Sequence, residues 1–187
     1  KSPLLPRWVN EKTLVICVSY SGNTAETLGC LDQALKQKAQ VHLLTSGGAL
    51  LSRAKQEGFS HVLLNGGLPP RAALFDMLFA LLGSLADLPF LNLDKAELSK
   101  MPAFLASLAE DWKLHSDSAP FQLAQQLKDM RVQFWGRSGG ADTLTMRWKN
   151  QLAENAKMMS HWSVLPELNH NEIVPLCHEQ RPLMALV

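Results

Sequence analysis

Short apolar runs alternate with helical patterns along the first half of the chain, and this alternation constrains the fold most strongly. The runs at residues 13–18, 41–44 and 61–64 have the composition of strands that are buried on both faces. The first two runs are followed by helical spacing, at residues 24–36 and 49–57. Because right-handed crossovers place helices on the faces of a sheet, this order predicts a parallel sheet flanked by helices.

A long apolar stretch from Ala72 to Leu91 follows the third strand and raises the question of a membrane span. Asp76, Asp87 and Pro89 interrupt it. Charged residues and proline are unfavourable in the centre of a bilayer, so we interpret the stretch as a buried helix. No membrane association is predicted.

The second half of the chain repeats the strand–loop–helix order more loosely. A helix at 120–130, a strand at 132–135, a glycine loop at 136–140 and a helix at 142–157 are predicted. The sequence therefore predicts an α/β protein of two domains, at residues 1–95 and 120–187, joined by a connecting segment at 96–119.

Composition narrows the classes of function. The 187 residues include 18 Lys and Arg against 17 Asp and Glu, and this balance argues against a nucleic-acid-binding protein. The three cysteines form no CxxC pair, and the histidines have no zinc-motif spacing, so neither a disulfide scaffold nor a metal site is predicted. The first residues have no signal-peptide pattern, and we expect a cytoplasmic protein.

The loop between the first strand and the first helix is the most informative segment, and we call residues 19–24 the hydroxyl loop. It contains three hydroxyl side chains, those of Ser19, Ser21 and Thr24. Gly22 permits close approach of a ligand, and the N-terminus of the following helix favours an anion such as phosphate. The alternative is an ordinary helix start, in which Asn23 and Glu26 have the spacing of a capping box.

The hydroxyl loop, which reads SYSGNT, resembles the phosphosugar-binding loop of sugar isomerase (SIS) domains. Further segments in collinear order resemble the bifunctional phosphoglucose/phosphomannose isomerases: PRAA at 70–73, RWKN at 147–150 running into ENAK at 154–157, and LPELNHNEI at 165–173. The resemblance covers nearly the whole chain. It implies two SIS-type domains, each a three-layer α/β/α arrangement.

The resemblance also implies an activity and site residues. The reaction is the interconversion of glucose 6-phosphate, and also mannose 6-phosphate, with fructose 6-phosphate through a cis-enediol, without a cofactor or metal. Glu154 is the implied base, Arg71 lies against the enediolate, and His170 assists ring opening. The hydroxyl loop binds the sugar phosphate through its three hydroxyl groups and the amides at Gly22 and Asn23.

The resemblance has two further implications, one for the oligomeric state and one for the segments of the family that this chain lacks. In the family, the histidine that matches His170 enters the active site from the partner subunit, which implies a homodimer. The family also uses a glycine–serine loop near its N-terminus and a lysine near its C-terminus. Neither is found here, so we expect that terminal segments are missing from this chain.

The residues by themselves leave other interpretations open. On the helix at 142–157, helical spacing places one polar row on a single face: Arg147, Asn150, Glu154 and Lys157. A second, largely apolar row is expected to pack: Leu144, Trp148, Leu152 and Ala156. Periodicity alone favours an amphipathic helix with a solvated polar face, and only the resemblance favours a catalytic role for this row. The alternative for His170 is a structural hydrogen-bonding role. The alternative for Arg71 is a structural role in a surface loop.

Two alternative functions accompany the preferred one. A non-catalytic SIS module that senses sugar phosphates needs the hydroxyl loop but neither Glu154 nor His170. The other alternative is an SIS isomerase for a pentose or amino-sugar phosphate, which substrate profiling distinguishes because the sequence does not reveal the hydroxyl-reading pocket.

Overall fold

The structure is a computed structural model that describes residues 4–86, 88, 92–178 and 183–186. The chain divides into two compact units, Lys1–Leu93 and Asp94–Val187. Each unit contains a three-stranded parallel sheet with helices, so the predicted α/β class is confirmed. Within the described ranges, no helix has both the length and the apolar character needed to cross a bilayer.

The first unit follows the predicted alternation closely. Its sheet has the strand order β1-β2-β3, with Cys17 opposite Leu43 and His42 opposite Ser60. A short 3₁₀ turn at Pro70–Ala72 precedes the last helix. The elements are β1 (Leu14–Val18), α1 (Ala25–Lys36), β2 (Gln40–Thr45), α2 (Gly48–Glu57), β3 (Ser60–Leu63) and α3 (Leu74–Ala86).

The first sheet is covered on both faces. On one face, Cys17 and Leu43 pack against Leu31 of α1 and Leu50 of α2 in a buried cluster. Successive side chains of a strand point to opposite faces, so His42 belongs to the other face, where its Nε2 lies 2.9 Å from Ser84 Oγ of α3. The first unit therefore has helices on both faces of its sheet. Because its three strands are parallel, their carboxyl ends lie at the same edge of the sheet.

The second unit has the strand order β5-β4-β6. Its core contains Leu127, Val132 and Phe134, and the ring of Trp148 stacks on Phe134 at a centroid distance of 6.3 Å. Its elements are α4 (Lys95–Asp111), α5 (Ala119–Leu127), β4 (Arg131–Arg137), α6 (Ala141–Gln151), β5 (Ser160–Leu165), α7 (Glu167–Asn171), α8 (Ile173–Cys177) and β6 (Leu183–Leu186).

The second unit differs from the sequence-based expectation in several respects. Strand β5 was not predicted, because its polar and apolar residues (SHWSVL) lack a continuous apolar run. The expected helix at 142–157 is α-helical only to Gln151 and continues as a π-helix over Leu152–Ala156. The prediction that Leu144 and Trp148 pack inside is wrong in part, since they are 65% and 56% exposed.

Candidate functional site

The hydroxyl loop connects β1 to α1 and is closed by its own side chains. Ser19 is 6% exposed, and its Oγ lies 2.8 Å from Thr24 Oγ1. The backbone N–H of Gly22 also donates to Ser19 Oγ, at 3.2 Å. Ser21 is exposed, and its Oγ accepts a bond from the Asn23 N–H at 3.3 Å. The structure therefore brings the predicted phosphate-binding residues together in one short loop.

Gly22 lies where the hydroxyl loop touches residues 45–48, the turn from the end of β2 into the start of α2, which we call the second loop. Its φ is +68°, and an added Cβ would lie 1.9 Å from the carbonyl oxygen of Gly47. Gly48 makes the reciprocal approach, also with φ +68°, since a Cβ there would lie 2.3 Å from the Ser21 carbonyl oxygen. Only glycine fits at these two contacts.

Asn23 fixes the second loop and does not cap α1. Its Oδ1 accepts a bond from the Ala49 N–H at 2.9 Å, in the first turn of α2. The N-cap of α1 is Thr24, which makes no side-chain cap bond. The capping-box interpretation of Asn23 and Glu26 is therefore wrong. The N-terminus of α1 lies directly beside the hydroxyl groups, an arrangement that favours an anion.

Arg71 lies beyond the same edge of the first sheet. It is exposed, and it belongs to the 3₁₀ turn that follows β3. The buried phenol of Tyr20 connects the hydroxyl loop to this segment, because its O–H donates to Asn65 O at 2.7 Å and accepts from the Leu68 N–H at 3.1 Å. Sequence reasoning did not single out Tyr20, since nothing in its position between two serines indicated a buried contact.

The glycine loop of the second unit contrasts with the hydroxyl loop. Asp142 Oδ1 accepts bonds from the N–H groups of Gly140 and Thr143, at 3.0 and 2.8 Å. A carboxylate of the protein itself thus occupies the N-terminus of α6. Gly136 is also tightly packed, with Thr145 Oγ1 2.3 Å from where its Cβ would be. Contacts within the protein therefore explain the glycines of this loop and the start of α6 without a bound ligand.

Glu154 and His170 are both exposed and lie toward opposite edges of the second sheet. Glu154 belongs to the π-helix that follows α6, about 20 Å along the helix from Ala141 at 1.5 Å per residue. It thus comes near the amino-terminal edge, where β5 begins at Ser160. His170 lies in α7, past the carboxyl end of β5. The second unit by itself does not bring these two residues together.

The π-helix changes the predicted polar row. Its wider turn breaks the 3.6-residue spacing on which the common face of Arg147 and Glu154 was predicted. The turn closes at Lys157, which has φ +58° and donates from Nζ to the backbone oxygen of Glu154. The ammonium group is therefore held against the backbone of the predicted base.

Among the described residues of the first unit, three titratable groups have shifted pKa values, and none belongs to the hydroxyl loop. The hydrogen bond to Glu57, with a further one to Asp32, raises the pKa of Arg53. Burial, with a smaller contribution from Cys30, raises the pKa of Cys17 to about 11. Burial and the nearby His61 lower the pKa of His42. Among the described residues, no three His, Cys, Asp or Glu side chains are grouped in a way that fits a metal ion.

The parallel sheets with their helices define an α/β protein, and the second unit is similar to a SIS domain. Residues 117–187 match the family model described as the bacterial phospho-glucose isomerase C-terminal SIS domain. The fold is similar to that of tagatose-6-phosphate ketose/aldose isomerase from Escherichia coli, with a TM-score of 0.63 at 15% identity. That similarity covers 95% of this chain and 49% of the other, and it concerns the fold alone.

Curated relatives define the family more narrowly. A bifunctional phosphoglucose/phosphomannose isomerase of Caldicellulosiruptor bescii is 35% identical over 91% of this chain and 51% of its own length. A D-glucosamine-6-phosphate 4-epimerase of Sulfolobus acidocaldarius is 30% identical over 88% of this chain and 51% of its own length. The chain is thus similar over about nine tenths of its length to bifunctional phosphoglucose/phosphomannose isomerases, and it spans about half the length of the curated relatives it matches.

Proposed function

We propose that this chain carries part of the active site of an aldose–ketose isomerase. The enzyme interconverts glucose 6-phosphate and mannose 6-phosphate with fructose 6-phosphate through a cis-enediol. The observation that carries the proposal is the hydroxyl loop, in which three hydroxyl groups stand beside the N-terminus of α1. The isomerase names of the relatives support the same reaction class.

The hydroxyl loop binds the phosphate group of the sugar in this proposal. Ser19, Ser21 and Thr24 contribute hydroxyl groups, and Gly22 and Asn23 contribute backbone N–H groups. The interlocking of the hydroxyl loop with the second loop fixes these donors before a ligand arrives, which reduces the entropy lost on binding.

The reaction needs a base, a cation for the developing oxyanion, and an acid or base for ring opening. The carboxylate of Glu154 moves the proton between C2 of the aldose and C1 of the ketose. The guanidinium of Arg71 stabilises the enediolate, and the imidazole of His170 opens the ring. In this assignment, none of the three steps requires a metal or a cofactor.

We further propose a homodimer in which His170 of one protomer enters the active site of the other. The positions of Glu154 and His170 toward opposite edges of the second sheet support this, because one copy of that unit does not supply both groups to one place. A cytoplasmic enzyme acting on a metabolite phosphate is part of the same proposal.

The two domains of the prediction also remain a proposal. The family model accounts for one SIS domain at residues 117–187. We propose that residues 1–95 belong to a second SIS-type domain. Their parallel sheet, with the hydroxyl loop after its first strand, supports this assignment.

A second candidate function is a different reaction on a phosphosugar. The 4-epimerase among the relatives favours it, since that protein is named for chemistry at another carbon and is 30% identical. Both candidates use the hydroxyl loop for the phosphate. They differ in the carbon atom of the sugar that is changed.

Proton NMR of fructose 6-phosphate in heavy water with the full chain separates these functions. The isomerase is expected to remove a C1 proton signal and to form glucose or mannose 6-phosphate. An exposed control variant on α4, Ser107→Ala, is expected to behave like the wild type. Binding of the sugar without any C1 exchange favours a non-catalytic module or a chain that lacks some of the catalytic groups, and the same measurement on a longer chain decides between these two. Formation of a C4 epimer from a phosphosugar supports the second candidate.

A further inference from the structure

Tyr20 is the one tyrosine of the chain and lies between the two serines of the hydroxyl loop. Its side chain turns inward and is 7% exposed. The carbonyl oxygen of Asn65 is an acceptor only, so the phenolic proton is committed to it, and the phenolic oxygen accepts the Leu68 N–H. The hydroxyl group is therefore occupied by two backbone partners that are three residues apart.

A second contact lies on the other side of Arg71. The ring of Tyr20 belongs to a buried cluster with Leu64 and Ala73, and Ala73 is 1% exposed. We call residues 64–73 the Arg71 segment. Tyr20 thus bonds to this segment before Arg71, at residues 65 and 68, and shares a buried cluster with residue 73 after it.

A short hydrogen-bonded turn within the Arg71 segment links the parts of the segment on either side of Arg71. The Ala72 N–H donates to Pro69 O at 2.8 Å, and the Ala73 N–H donates to Pro70 O at 3.2 Å. Pro69 and Pro70 also restrict the backbone just before Arg71. A segment with fixed ends and a restricted interior keeps Arg71 at a set distance from the hydroxyl loop.

We propose that Tyr20 is a positioning residue that couples Arg71 to the hydroxyl loop. Its hydroxyl group sets where the guanidinium stands relative to the bound phosphate, so that phosphate and enediolate are held together. The inference rests on the proposed function and deepens it by assigning a role to a residue that does not touch the reacting atoms.

Two ligands isolate this role without requiring turnover. 5-Phosphoarabinonate has a phosphate and a carboxylate that imitates the enediolate oxygens. Arabinitol 5-phosphate has the same phosphate and no carboxylate. The ratio of their affinities, measured by calorimetry on the full chain, reports the contribution of the guanidinium beyond that of the phosphate.

Tyr20→Phe keeps the ring and removes the hydroxyl group. We expect it to lower the affinity ratio about fivefold, the range of one hydrogen bond, while arabinitol 5-phosphate binds as before. Arg71→Gln should lower the ratio further, and the double variant should match Arg71→Gln alone. Additive effects, or an unchanged ratio in Tyr20→Phe, overturn the proposal.

Hydrogen exchange separates a local effect from unfolding. In Tyr20→Phe, the Leu68 amide is expected to exchange faster, while the Leu43 amide in β2 keeps the wild-type rate. Faster exchange at both amides means general destabilisation and counts against a positioning role. A wild-type chain that binds neither ligand refutes the proposed function itself, whereas binding of both ligands with no preference for the carboxylate refutes the role of Arg71.

Discussion

The Asn23 side-chain oxygen accepts the Ala49 backbone N–H at 2.9 Å and so joins the hydroxyl loop to the first turn of α2. The Leu50 N–H donates to the carbonyl oxygen of Gly22 at 3.0 Å and strengthens the same connection. The loop after β1 thus caps the helix after β2. Because Asn23 caps α2 and the N-cap of α1, Thr24, makes no side-chain cap bond, the first turn of α1 is available for the proposed phosphate.

Replacing Asn23 tests whether it acts as the cap of α2. Asn23→Ala removes the acceptor of the Ala49 N–H, and we expect the free energy of unfolding to fall by about 1 kcal/mol. Urea denaturation measures the change. Asn23→Asp keeps an acceptor oxygen at the same place and should retain most of the stability. Equal losses in both variants contradict the capping role.

Gly22 tests the close approach of the two loops, and Gly58 provides a matched control. Both have a positive φ, but a Cβ at Gly58 meets nothing within 4 Å, whereas one at Gly22 meets the Gly47 oxygen at 1.9 Å. Gly58→Ala is expected to cost about 1 kcal/mol of unfolding free energy from backbone strain alone. Gly22→Ala should cost clearly more and also weaken phosphosugar binding. Similar losses of stability in the two variants contradict the contact.

The first unit was predictable from sequence because each element carries its own local signal. Continuous apolar runs predicted β1 and β2, and Gly58 adopts the left-handed conformation (φ +73°) expected after α2. The hydroxyl loop was predictable because a glycine and three hydroxyl residues follow a buried strand. What its sequence could not show is that Asn23 and Tyr20 bond to residues 26 and 45 positions away.

The second unit was less predictable for physical reasons. In β5, Trp162 is partly exposed and bonds through its Nε1 to Thr145 Oγ1, so the strand lacks a purely apolar pattern. The π-helix at Leu152–Ala156 has no sequence signal in a periodicity of 3.6 residues. For this reason, helical residue spacing predicted the position of Glu154 relative to Arg147 less well than any other part of the site.

We expect His42 to make the stability of the first unit depend on pH. Because Ser84 donates to Ala80 O, His42 Nε2–H donates to Ser84 Oγ, and Nδ1 accepts from Ser60. Burial, together with His61, lowers the pKa of His42 below its usual 6.5. The unfolded chain therefore binds more protons as the pH falls from about 7 to about 5, and the free energy of unfolding decreases in that direction.

Denaturation at a series of pH values measures this effect. His42→Gln is expected to flatten the decline between about pH 7 and pH 5, because the difference in proton binding is lost. His115→Gln, at an exposed position, serves as the control and should keep the wild-type slope. An unchanged slope in His42→Gln contradicts the assignment.

Ser21 tests the phosphate assignment of the hydroxyl loop. Its hydroxyl group is exposed and accepts only a long bond within the loop, from the Asn23 N–H at 3.3 Å, so its loss should affect folding little. A hydrogen bond to a charged group contributes about 1.5–3 kcal/mol, so Ser21→Ala is expected to weaken sugar-phosphate binding about tenfold or more. Calorimetry with fructose 6-phosphate measures this, and wild-type affinity in the variant removes Ser21 from the phosphate site.

Glu154 tests the proton-transfer step separately from binding. Glu154→Gln keeps the size and polarity of the side chain but removes its ability to accept the carbon-bound proton. We expect exchange of the C1 proton of fructose 6-phosphate to be lost, with the affinity for the sugar largely intact, because the phosphate is held at the hydroxyl loop. Deuterium incorporation in heavy water, followed by NMR, measures the exchange.

The control for Glu154→Gln is Glu97→Gln, which removes a carboxylate from the exposed surface of α4. It is expected to exchange protons at the wild-type rate, which excludes a general effect of net charge. Near-full exchange in Glu154→Gln means that another group is the base. Loss of both exchange and binding in Glu154→Gln contradicts the separation of roles, since a base that acts only on the carbon-bound proton should not be needed to hold the phosphate.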